Sequence, residues 1–74
     1  MTKETSLNEL GQRIREKRKA LSWTQEALAD KAGIDRSYIG GVERGERNLT
    51  FTVLCKICEA FGCDVAMLTK NIPK

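Results

Sequence analysis

The chain has 74 residues, 13 Lys and Arg against 10 Asp and Glu, and a formal net charge of +3. That length holds one domain and excludes two, while the mild basic excess permits a nucleic-acid partner without demanding one. No apolar run reaches membrane-spanning length, and three cysteines with no histidine suit a reducing compartment better than a disulfide framework. The N-terminal MTKETSLNEL lacks the apolar stretch of a signal peptide, so a cytoplasmic, nucleoid-associated protein without a membrane partner is expected. A domain this small buries only about 60–65% of its unfolded surface, which favours oligomerisation.

The spacing of apolar residues predicts five helices. The first starts near Ser6, with Glu9 placed to close a capping box, and carries an apolar stripe of Leu7, Leu10, Ile14 and Leu21. Arg18 falls on that stripe, where a charge needs a partner or must snorkel outward. Thr24 caps the second helix, with Trp23 and Leu28 placed as a hydrophobic staple. Leu28 and the small Ala29 form its inner edge, and Gly33 ends it in a turn that favours positive φ. Asp35 caps the third helix, which runs to about Arg44 with Ile39 and Val42 inward, and Gly45 marks its break. Thr50 caps the fourth, whose buried face is Leu54, Ile57, Cys58 and Phe61, and Gly62 terminates it. Asp64 starts a short fifth helix carrying Val65 and Leu68. Residues 1–5 and 70–74 read as flexible ends of a domain spanning 6–69.

The segment from Thr24 to Asn48 is two short helices hinged at Gly33, the arrangement that lets one helix enter the major groove of DNA. On the third helix Ile39, Val42 and Glu43 face inward. Ser37, Gly40, Gly41 and Arg44 lie opposite, flanked by Arg36 and Tyr38. Each mid-helix Gly costs about 0.8–1 kcal/mol relative to Ala. Two readings stand for the pair: a bare face that lets the backbone approach the groove, or a weak, frayed helix. Gln25 opens the second helix where a phosphate can be held. Lys31 and Arg44 are further phosphate candidates, against the alternative of solvated charges. Two unpaired buried charges are costly, so Arg18 and Glu43 are expected to meet and to hold the third helix at a set angle.

Cys55, Cys58 and Cys63 lack the fourth ligand of a closed zinc site, so they are read as small core residues. A thiol nucleophile would lack an imidazole base, and no phosphate-cradling loop is present. No enzyme activity, metal or cofactor is expected.

From about Leu7 to Leu68 the chain resembles the Cro/cI-type helix-turn-helix family, also called lambda-repressor-like or XRE. Its stretch DRSYIGGVERGERN, Asp35 to Asn48, is similar to the "DR-S/T-YI-x-G-V/I-ER-x-x-RN" run of restriction–modification controller proteins. The resemblance implies a five-helix, all-α lambda-repressor-like domain and a sequence-specific transcription regulator of duplex DNA. It implies base contacts from Arg36 and Ser37, with Arg47 joining them in the controller subset. Arg36 would fork onto guanine O6 and N7, or else touch phosphate alone. Asn48 would lie along the DNA backbone, and Tyr38 either there or as half-buried support. The family also has an Arg–Glu pair at positions matching Arg18 and Glu43.

One reading helix contacts few base pairs, so a homodimer on a near-palindrome is expected, with half-site centres about 34 Å apart. Its interface is placed on the fifth helix and adjoining fourth, through Val65, Met67 or Leu68, and RNA polymerase is a further expected partner. Phage-type repressors and antitoxins are alternatives within this class. A protein-bridging helix-turn-helix module that reads no DNA is the alternative outside it.

Overall fold

Hydroxyl and carboxylate caps, together with left-handed glycines, set half of the helix boundaries among the described residues. The computed structural model describes residues 3–73, with side chains over 5–73. Its helices are α1 (Lys3–Ala20), α2 (Gln25–Ala32), α3 (Arg36–Glu43), α4 (Phe51–Phe61) and α5 (Val65–Thr69), with no strand among the described residues. The all-α order is the one the sequence predicts. Thr24 Oγ1 accepts from the Ala27 amide at 3.0 Å, Thr50 Oγ1 from Val53 at 3.2 Å, and Asp64 Oδ1 from Met67 at 3.0 Å. Each bond satisfies a backbone donor that a helix start leaves open. Gly33 (φ 69°) and Gly62 (φ 75°) close α2 and α4 in the left-handed conformation.

Two expectations are corrected. The first helix begins at Lys3, so Ser6 lies inside it and does not cap it; no Gly or Pro in residues 3–5 opposes helix. It also ends at Ala20, before Leu21. Ser22 takes φ 61° and the Trp23 amide bonds back to Arg18 O at 3.0 Å, which turns the chain and leaves Leu21 exposed. At the other end, Arg13 Nη1 donates to Leu68 O at 3.0 Å and to Lys70 O at 2.6 Å. The expected flexible ends fall partly on residues 1, 2 and 74, which lie outside the described residues.

Every helix contributes to one core. Ile14, Leu28, Ile39 and Ile57 are fully buried, joined by Ala29, Val42, Leu54, Cys58 and Leu68. Each large aliphatic so buried contributes about 1.5–3 kcal/mol of transfer free energy. Trp23 closes one flank by stacking on Phe61, with ring centroids 5.8 Å apart and planes inclined at 19°. Where α1 crosses the end of α3 the two backbones touch at Gly11. A Cβ there would run into the carbonyl oxygens of Val42 and Glu43. No described helix is long and apolar enough to cross a membrane.

Candidate nucleic-acid interface

Helix α3 is held from behind by a polar network. Arg18 grips the Glu43 carboxylate with two bonds, Nε to Oε2 at 2.7 Å and Nη2 to Oε1 at 3.0 Å. Its remaining Nη1 donates to Trp23 O at 2.8 Å, and Gln25 Nε2 donates to Glu43 Oε1 at 3.1 Å. The two charged side chains are only 10% and 2% exposed. The hydrogen bonds that Arg18 donates to Glu43 push its pKa further up, against the opposing effect of burial. The structure therefore brings Arg18 and Glu43 together, and α1, the start of α2 and the end of α3 meet at one carboxylate.

Gln25 is half-buried and its amide points inward, so it serves this network rather than standing free for a phosphate. Lys31 is not with the α3 surface either. Its ammonium lies 4.9 Å over the Trp23 ring, at the junction of α2 with α4. An aromatic face attracts a cation, which explains its placement there.

On the outer side, Arg36 and Ser37 stand exposed in the first turn of α3. The Ser37 hydroxyl donates to Asp35 Oδ2 at 2.6 Å. Asp35 holds the position before the helix but makes no side-chain bond to a helix amide, contrary to the expected cap. The Ser37 bond draws the Asp35 pKa below the ordinary carboxylate value, against a smaller opposing effect of desolvation. Tyr38 is half-buried against the core, with the Arg47 guanidinium carbon 5.1 Å over its ring. Arg44 is exposed and pairs with Glu46 at 3.1 Å; Arg47 and Asn48 are exposed in the following loop.

Neither expectation for the paired glycines describes the structure. Helix α3 runs unbroken through Gly40 and Gly41, and both are buried. They are buried under long side chains, not bare. A Cβ on Gly40 would stand 3.1 Å from Arg44 Nη1 and 3.6 Å from Gln25 Oε1. One on Gly41 would stand 2.9 Å from Arg47 Cγ. The middle of the helix surface is thus furnished by arginines arriving from its end and from the loop beyond it.

The expected dimer residues separate. Met67 is 64% exposed and Val65 is half-buried, but Leu68 is 4% exposed and spent in the chain's own core. Phe51 is exposed and was not anticipated. Gly11 and Arg13 were missed altogether, since a lone Gly or Arg within a helix gives no signal of the element it will touch. The cysteines are free thiols. Burial, then the neighbouring Cys63, pushes the Cys58 thiol up to about 12, so it stays protonated at neutral pH.

No cavity opens among the described residues. The available chemistry is that of the exposed Arg36, Arg44 and Arg47, planar donors suited to phosphates and to guanine edges.

A family model described as helix-turn-helix matches residues 14–68. The control protein C.SmaI from Serratia marcescens is 39% identical over 59 residues, covering 80% of this chain and 70% of that protein. The restriction-modification controller protein C.AhdI from Aeromonas hydrophila has a solved structure 44% identical to this chain. It superposes with a TM-score of 0.85 over 86% of this chain and 97% of that one. The biofilm master regulator SinR, solved in complex with DNA, is 32% identical with a TM-score of 0.77, over 82% and 98% of the two chains.

Proposed function

The chain belongs to the helix-turn-helix family as a sequence-specific DNA-binding transcription regulator, and we propose that it acts as the homodimeric controller protein of a restriction–modification system. The observation that carries the reading is the pairing of a locked helix with an exposed first turn. The Arg18–Glu43 pair fixes α3 from behind, while Arg36 and Ser37 are exposed in front. In helix-turn-helix proteins that first turn meets the base edges.

Arg36, Ser37 and Arg47 read bases in this proposal. The backbone amides at the start of α2, with Tyr38, Arg44 and Asn48, follow the phosphate backbone. The half-buried Val65 and exposed Met67 contribute to the two-fold contact. The protein works in the cytoplasm, at the nucleoid, and engages RNA polymerase as its operator sites fill.

Selection from a random duplex pool at about 150 mM salt tests the reading. A two-fold symmetric motif is expected, with half-site centres about 34 Å apart. A folded protein that recovers no motif would refute it and leave the protein-bridging role. On the selected operator, Arg36→Ala should relax preference at one base pair per half-site by about 1–3 kcal/mol. Uniform weakening on every sequence would remove Arg36 from the base readers.

A further inference from the structure

Arg47 occupies space that a side chain of α3 would otherwise fill. Gly45 turns the chain at φ 74°, and the Glu46 amide bonds back to Gly41 O at 2.9 Å. The Arg47 stem is thereby returned to the helix the chain has just left. A Cβ on Gly41 would meet Arg47 Cγ at 2.9 Å, Nε at 3.3 Å and Cδ at 3.6 Å. The stem therefore runs lengthwise across the bare Cα, and the guanidinium ends 5.1 Å over the Tyr38 ring, one helical turn earlier. Gly41 is buried, and the three atoms nearest to a Cβ there all belong to Arg47.

We infer that Gly41 and Tyr38 form a seat that positions Arg47 for base reading, which makes Gly41 a specificity-determining residue that itself touches no base. This rests on the regulator reading above and adds to it the device that aims one of its arginines. A free arginine side chain is spread over many rotamers. Laying the stem on a flat floor and the guanidinium on a ring face restricts that freedom before DNA arrives. The glycine's cost in helix propensity is the consequence, because any Cβ at this position lifts the stem. The flexible stem, not the backbone, would yield to it.

Gly41→Ala is the test. Gly41 is not among the positive-φ residues, so Ala fits the backbone and the variant should melt no lower than the parent. In the free protein, NMR should show the Arg47 γ and δ protons shifted by the Tyr38 ring, with the shift lost in Gly41→Ala. On the selected operator, Gly41→Ala should lose about 5- to 150-fold of the discrimination at the base pair that Arg47 reads. That loss should match Arg47→Ala, and the double variant should lose no more than either single one. Full discrimination in Gly41→Ala, losses that add in the double variant, or an unshifted Arg47 in the parent would each overturn the seat. A parent with shifted Arg47 protons that selects no motif would overturn the regulator reading instead.

Discussion

Removing the Glu43 carboxylate should cost this domain much of its stability. In Glu43→Ala the Arg18 guanidinium loses two bonds, of 2.7 and 3.0 Å, and keeps the Trp23 carbonyl at 2.8 Å. The Gln25 amide loses its 3.1 Å acceptor as well. With the Arg18 side chain only 10% exposed, the unpaired charge has little access to water, and such a break costs about 3–5 kcal/mol. At about 0.05–0.15 kcal/mol per residue, a domain of this length has about 4–11 kcal/mol in total. The melting temperature should therefore fall by more than about 12 °C. Trp23 is the sole tryptophan and adjoins the network, so its fluorescence in a urea titration reports the transition, with far-UV circular dichroism as a second probe. Arg18→Met with Glu43→Leu removes both charges together and should recover to within about 1 kcal/mol of the parent. A Glu43→Ala variant that loses under about 1 kcal/mol, or a double variant no better than the single, would refute this account of the pair.

Gly11→Ala presses a methyl group against two backbone carbonyl oxygens, and should cost about 2–3 kcal/mol despite better helix propensity; a melting temperature equal to the parent's would refute it. Arg13→Ala frees the Leu68 and Lys70 carbonyls, so amide exchange across 65–70 should speed up by about 5- to 30-fold. Unchanged protection would show that the clamp contributes nothing. Because the Ser37 bond depresses the Asp35 pKa, its contribution is whole above the ordinary value of 3.8 and is lost as pH falls below it, through the folded value. A carboxyl NMR titration should place Asp35 below 3.8 and move it upward in Ser37→Ala; a midpoint at or above 3.8 in the parent would contradict the bond.

What could be read from the sequence was local or periodic. Thr24, Gly33, Thr50, Gly62 and Asp64 act within a few residues of themselves, and the structure uses each where its chemistry suggests. Arg18 could be placed because its apolar neighbours define a buried stripe from which a charge stands out. Leu21 was misplaced because the helix ends through Ser22 at positive φ, with no glycine to announce it. The glycine pair was misread for a different reason. What covers Gly41 is set by a chain reversal at Gly45, and single-helix periodicity contains no information about a side chain returning from the next loop. Leu68 could not be told from Met67, since which side of a five-residue helix faces in depends on its docking against the rest of the chain.

Helix α1 touches both helices on which the proposed function depends. Gly11 and Arg18 lie seven residues apart, close to two turns, and so share one face of α1. That face receives α3, through backbone contact at one position and a bidentate ion pair at the other. Arg13, between them, reaches the end of α5 and holds its carbonyls. Helices α3 and α5 are therefore both referenced to α1. In a two-fold dimer built on α5, the distance between the two copies of α3 follows from how each α5 is fixed relative to its own α3. DNA allows little error there, because each base pair of spacing adds about 3.4 Å and rotates the groove away from the second reading helix. Loosening Arg13 should thus degrade discrimination between operators of different half-site spacing while leaving contacts within one half-site intact, an effect that weakening Arg36 would not produce.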